Sequence, residues 1–281
     1  MRAWLRPAIV ATVGVLAVVV AAGITLKGHP SDVKAGGTAT GSPTMGTICE
    51  RLAVPAYFSS AYWDKSIESP DPPADIILDV NGVGAGNAPD KVLQGLVKKA
   101  QAAGITVLGY SSTVVGQRPV AQVEADVRNY AAWYGVHSIF LDRVSGQAAQ
   151  VSYYKKLADY IHGAHPGAQV WLNPGVYPAD QKYMSIGDVV MVFEGSYEQY
   201  VTAQVPAWVQ HYPAAKFLNT IFAAPGNVLN NTLELAKQRH AGHIYVTDLV
   251  DAGKNPNPYQ GLPSYWAAED AEATAGCTGS G

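Results

Sequence analysis

Charge is sparse in this chain. Asp, Glu, Lys and Arg make up 15% of its 281 residues, and the formal net charge is -3. No basic patch stands out, which argues against a nucleic acid partner, because phosphate recognition needs clustered Lys and Arg. Low charge beside 48% hydrophobic residues excludes global disorder and permits a substantial core. Cysteine is nearly absent, with only Cys49 and Cys277. They form no CxxC pair, and the seven histidines are scattered without an HExxH. That leaves no signature of a zinc site. A P-loop and a GxSxG elbow are also missing. The stretch Asn81-Gly82-Val83-Gly84-Ala85-Gly86 is glycine-rich but is not GxGxxG, and it follows a second strand, not a first. A dinucleotide is therefore not expected. Neither a metal nor an organic cofactor is implied.

One long apolar run is present. Arg2 and Arg6 precede residues 8–26, which are uncharged and almost wholly apolar. This is a basic region followed by an export-type segment of near-spanning length. Residues 1–27 fit a signal peptide cleaved near Val20-Ala21-Ala22 or a retained membrane anchor. Either way the positive front places the body outside the cytoplasm, secreted or tethered, with membrane contact only through this segment. Removing residues 1–27 takes away Arg2, Arg6 and Lys27 and no acid, which leaves the remainder more acidic. Residues 28–48, rich in Gly, Ser, Thr and Pro, read as a flexible linker. Cys49 and Cys277 sit at the two ends of the apparent folded region, 49–281. In an exported protein they suit one disulfide; two free thiols are the alternative.

Beyond residue 52, short apolar strands alternate with helical patterns. Strands are expected at 53–58, 75–80, 105–110, 138–142, 169–173, 188–194, 216–222 and 243–247. Helices are expected at 90–103, 120–134, 147–162, 198–211 apart from Pro206, and 228–240, with Gly104 and Gly242 as stops. Eight such repeats predict an α/β protein, a (β/α)8 TIM-like barrel forming a single domain after the leader; an open doubly wound sheet is the alternative.

Barrel sites gather at the carboxyl ends of the strands. Those ends read Tyr57, Asn81, Tyr110, Asp142, Asn173, Glu194, Asn219 and Thr247 with Asp248. Packing alone would not require so many hydrogen-bonding groups. With Trp171 and Tyr177 nearby, they suit a polysaccharide: polar groups for hydroxyls, aromatic faces for the ring. In Ser138-Ile139-Phe140-Leu141-Asp142-Arg143, alternation sets Ile139 and Leu141 on one side and Phe140 and Asp142 on the other. Val190, Val192 and Glu194 share one side of their strand, which would let Glu194 face inward beside Asp142. Two inward carboxyls at a barrel mouth suit glycoside hydrolysis, with Asp142 and Glu194 as the catalytic pair. Tyr57, Asn81, Tyr110, Arg143, Asn173, Tyr177, Thr247 and Asp248 are the candidate substrate-binding residues. If Arg143 reaches the mouth, it would hold Asp142 ionised as nucleophile or stabiliser and leave Glu194 as the acid. The alternative is an Arg143 that points away.

Several motifs together carry a family resemblance. Val54-Pro55-Ala56-Tyr57-Phe58, Leu108-Gly109-Tyr110 with Thr113 and Arg118, and Ile139-Phe140-Leu141-Asp142 resemble the spherulin-4 (spherulation-specific) family. So do Leu172-Asn173-Pro174-Gly175, Val192-Phe193-Glu194, Tyr245-Val246-Thr247-Asp248 and the closing Asn257-Pro258-Tyr259 and Leu262-Pro263-Ser264-Tyr265-Trp266. The resemblance implies a (β/α)8 glycoside hydrolase of the endo-α-1,4-N-acetylgalactosaminidase kind, acting on galactosamine-containing exopolysaccharide. The family's acids after the fourth and sixth strands fall on Asp142 and Glu194. Arg143 stands where relatives often carry Glu, and Val115 where a Tyr is expected. A binding barrel at the cell envelope, without catalysis, is the alternative.

Overall fold

The computed structural model describes residues 48–251 and 257–274. The leader, most of the linker and Cys277 lie outside them; Cys49 lies within and is exposed. Among the described residues no helix is long and apolar enough to cross a membrane.

The strands are β1 (Arg51–Ala56), β2 (Asp75–Leu78), β3 (Thr106–Ser112), β4 (Ser138–Asp142), β5 (Val170–Leu172), β6 (Val189–Ser196), β7 (Phe217–Phe222) and β8 (His243–Val246). Each pairs in parallel with the next, and β1 pairs with β8 to close the ring. The expected (β/α)8 barrel is therefore formed. The helices are α1 (Ser60–Ile67), α2 (Lys91–Ala102), α3 (Val120–Asn129), α4 (Val151–Ala164), α5 (Tyr183–Ile186), α6 (Tyr197–Thr202), α7 (Leu229–Gln238) and α8 (Trp266–Thr274).

Two packed regions follow from strand alternation. Ala53, Ile77, Leu108, Tyr110, Phe140, Trp171, Val189, Met191 and Leu218 fill the barrel interior. Val54, Ile76, Ile139, Leu141, Val190, Val192 and Ile221 face the helices instead. The helix α2 shows the local logic. Asp90 caps it by accepting from the Val92 and Leu93 amides, Leu96, Val97 and Ala100 are buried, and Gly104 follows at φ 82.

Several elements depart from the sequence reading. The helix α1 has few buried residues and a weak apolar stripe, so nothing in its periodicity announced it. Residues 198–211 hold a short α6, then a 3-10 turn (Ala207–His211) after Pro206, because proline cannot donate within a helix. The segment 120–134 ends in a π-helical turn, Tyr130–Tyr134. That turn sets the Tyr130 ring against Gly109, where a Cβ would lie 2.6 Å from ring carbons. The Tyr130 hydroxyl then donates to the Tyr110 carbonyl at 2.8 Å and fixes the strand backbone under the site.

Just before β1, Glu50 is buried, and neither carboxylate oxygen has a hydrogen-bond partner among the described residues. Burial raises its pKa to about 8, with Lys237 pulling it down and Glu234 pushing it up. The folded state thus holds a proton that the unfolded chain releases near pH 4.5. Stability from this group is present below pH 4.5 and is lost as pH rises through 8. Glu50→Gln should flatten that dependence and raise Tm at pH 9 by roughly 5 °C or more. Thermal denaturation of both proteins across pH 5–9 checks it; parallel curves would contradict the assignment.

Candidate active site

Asp142 ends β4 with its side chain turned into the mouth, on the same side as Phe140. It is 5% exposed. Its Oδ2 accepts from the Tyr110 hydroxyl at 2.6 Å, and its Oδ1 from Asn173 Nδ2 at 2.7 Å. The backbone behind it is clamped. Thr113 donates through its amide to the Asp142 carbonyl at 2.9 Å, and through its hydroxyl to the carbonyls of Asp142 and Arg143. Arg143 itself sits in the left-handed region at φ 53, as do Val114 and Val115 at φ 49 and 51. Such angles are costly for β-branched residues and persist only where surrounding bonds impose them.

Glu194 reaches the mouth by a different route from the one its strand pattern suggested. Val190 and Val192 pack outward, against the helices, while Met191 fills the interior. Strict alternation would keep Glu194 with the outward set. A register shift between Met191 and Phe193 inserts a bulge against β7 and reverses the parity. Glu194 therefore faces inward because of an irregularity, and not because it shares a side with Val192. Its Oε2 accepts from Asn173 Nδ2 at 3.0 Å and its Oε1 from the Tyr259 hydroxyl at 2.9 Å.

Asn173 links the two acids through a single amide nitrogen. Those two bonds, of 2.7 and 3.0 Å, bring the two accepting oxygens to within 5.7 Å of each other. The Asn173 carbonyl oxygen is buried and has no partner among the described residues. Tyr57 closes one side of the site, its ring edge-on to Tyr110 and to Tyr259 at 5.7 Å each. Burial, then the charges of Asp142, Tyr110, Asp79 and Glu194, push its pKa well above 10, so Tyr57 remains a neutral phenol.

The other expected residues are distributed differently. Asn81 lies three residues beyond β2, exposed, with its Oδ1 accepting from the Val83 and Gly84 amides of its own loop. Thr247 Oγ1 accepts from the Leu249 amide, and Asp248 accepts from the Ser264 amide, so both brace the chain after β8. Tyr177 stands edge-on to Trp208 at 5.8 Å, its pKa raised by burial to about 12. Arg143 is exposed, and among the described residues no ion pair joins it to Asp142. Asn219 points outward, with its Nδ2 donating to the Tyr200 hydroxyl at 2.9 Å. Thr220, its neighbour, faces the mouth in its place.

Two contributors escaped the strand-end reading. Tyr259 belongs to no strand; it arrives on the loop after β8. Its only sequence signal is its place in the closing Asn257-Pro258-Tyr259 motif. Thr220 was hidden by a parity one residue off. Among the described residues no cluster of three or more His, Cys, Asp or Glu could hold a metal ion.

The family model for spherulation-specific family 4 matches residues 51–271. The chain belongs to spherulation-specific family 4. Spherulin-4 of Physarum polycephalum is 32% identical over 214 residues, a match spanning 70% of this chain and 63% of that relative's length. The chain thus spans under two thirds of the curated relative. The crystal structure of Aspergillus clavatus Sph3 in complex with GalNAc superposes with a TM-score of 0.70 and 23% identity, covering 82% of this chain and 99% of that one. A class V chitinase from Pseudomonas fluorescens superposes with a TM-score of 0.53 and 12% identity, covering 79% of this chain and 98% of that one. These likenesses concern the barrel shared by spherulation-specific family 4 and other chains.

Proposed function

We propose that this protein is an exported, endo-acting glycoside hydrolase that cleaves a galactosamine-containing polysaccharide with Asp142 and Glu194. The observation that carries the reading is the pair of inward carboxylates bridged by one Asn173 amide. The Sph3 complex with GalNAc, on a similar barrel, supports the sugar class.

The spacing favours retention. Carboxyls roughly 5–5.5 Å apart leave no room for a water between the second carboxylate and the anomeric carbon, whereas inversion needs about 6.5–9.5 Å. In an α-linked 2-acetamido sugar the acetamide lies cis to the leaving group and cannot attack from behind. An enzyme carboxylate must supply the nucleophile. Asp142 is suited to that role because two short donors, at 2.6 and 2.7 Å, stabilise its charge. Glu194, more open and with longer bonds, suits the acid. It would protonate the leaving oxygen while Asp142 bonds to the anomeric carbon. It would then take a proton from the water that releases the glycosyl ester. The basic, then apolar, leader supports a location outside the cytoplasm.

The test is incubation of the full-length protein with partially deacetylated α-1,4-galactosamine polymer and mass spectrometry of the products. Release of oligosaccharides whose first-formed reducing ends are α, by NMR, is expected. Retention on immobilised polymer without any cleavage would replace the enzyme with a carbohydrate-binding barrel.

A further inference from the structure

Tyr259 has two hydrogen-bond faces, and they lead in different directions. Its hydroxyl lies 2.9 Å from Glu194 Oε1 and 3.3 Å from Thr220 Oγ1. Thr220 is fully buried. Its own hydroxyl lies 3.5 Å from the Phe193 carbonyl, at the bulge that turns Glu194 inward, and 3.5 Å from Met191 Sδ, a second and weaker acceptor. Glu194, Tyr259 and Thr220 therefore run in a chain from the carboxyl to a fixed carbonyl, and the bond between the first two can reverse.

A phenol carries one hydrogen and can accept another. With Glu194 ionised, Tyr259 donates to Oε1, and Thr220 donates to Phe193. With a proton on Oε1, the first bond must reverse. Glu194 then donates to Tyr259, Tyr259 donates to Thr220, and Thr220 still donates to Phe193. Each hydrogen of this chain keeps an acceptor in both states, and within it only the phenolic hydrogen turns. The ring is held while this happens, edge-on to Tyr57 at 5.7 Å and tilted against Tyr245 at 6.2 Å. Its loop is tied down by the Ser264 amide on Asp248 and by the Tyr245 hydroxyl on the Gly261 carbonyl.

We infer that Tyr259 is a positioning residue that, with Thr220 behind it, serves both protonation states of Glu194 and so lets one carboxyl act as acid and then as base. The inference rests on Glu194 as the proton-transferring carboxyl of the proposed hydrolase. It adds a residue and a device that the carboxylate pair alone does not require.

Two conservative variants separate this from a merely structural role, because they are expected to act in opposite directions. Tyr259→Phe keeps the ring and removes the charge-assisted bond to the carboxylate, the stronger of the two states' bonds. The Glu194 pKa should rise by about one. Thr220→Val keeps the shape and removes the acceptor that only the protonated state uses, so the pKa should fall by about half that. In the Tyr259→Phe background, Thr220→Val should then do nothing.

The measurement is a carboxyl 13C NMR titration of the full-length protein labelled at glutamate, with Glu194→Gln to assign the resonance. Hydrolysis kinetics run in parallel. Tyr259→Phe should lower kcat about tenfold with little change in KM, and the alkaline limb of its pH profile should move with the NMR value. Unchanged titrations, shifts of the same sign, or an additive double variant would each overturn the inference, whatever happens to Tm. If wild type cleaves nothing while the opposed shifts are present, the hydrolase reading fails and the reversible chain stands.

Discussion

Asp142→Asn should lower kcat by about a thousandfold or more, and Glu194→Gln by a similar factor, with glycan binding retained in both. Asn173 bridges these two carboxyls, and neither substitution should unfold the mouth. An asparagine at 142 can keep its oxygen toward Asn173 Nδ2 and turn its amide toward Tyr110, whose hydroxyl rotates to accept. A glutamine at 194 can do the same with Asn173 and Tyr259. Steady-state kinetics on the galactosamine polymer, with retention on the immobilised polymer, check both. The roles are separable as well. Asp142→Ala supplied with azide should release a glycosyl azide, because a small anion can occupy the vacated nucleophile's place. Turnover by Asp142→Asn near the wild-type rate would remove Asp142 from the chemistry.

The second large effect concerns the loop over the mouth. Asp126, on α3, is 6% exposed and accepts from the Ser111 hydroxyl at 2.7 Å and the Ala85 amide at 3.3 Å. Arg118 pairs with it at 2.7 Å and donates to the carbonyls of Val83 and Ser112. One buried ion pair thereby joins the loop after β2 to the end of β3. Gly84 lies so close that a Cβ there would collide with the Asp126 carboxylate. Asp126→Ala leaves the guanidinium uncompensated and the Ala85 amide unbonded, a loss of about 3–5 kcal/mol. Tm should fall by roughly 10 °C. KM should rise more than kcat falls, because the loop and not the carboxylates is released. Gly84→Ala should reproduce the defect by steric displacement. Calorimetry and kinetics on the two variants test the shared cause; a loss below about 1 kcal/mol for Asp126→Ala would show that water replaces the pair.

The barrel was legible because its signals are local. Alternation in Ile139-Phe140-Leu141-Asp142 needs only the two-residue period of a strand, and it placed Asp142 correctly. Helix α2 announced itself through its Asp90 cap, its spacing and Gly104, all within one segment. Counting eight such strands then selected a closed ring.

What the local code could not carry is parity after an irregularity and partners from distant segments. The bulge between Met191 and Phe193 is a property of how β6 meets β7, so no pattern within β6 reveals it. Glu194 was identified, but the alternation invoked for it runs the other way. The same limit applies at β7, where Asn219 faces Tyr200 on the outside and Thr220 takes the inward place. Tyr259 stands 65 residues from Glu194 along the chain and comes within 2.9 Å only when the closing loop folds over the mouth. The sequence by itself determined eight strands, their order and the end at which acids collect, because backbone periodicity and turn residues act over a few positions. Tertiary structure alone decided that one Asn173 amide holds both carboxyls and that Tyr259 and Thr220 back the second. Those contacts depend on strand register and loop closure, which belong to the whole barrel.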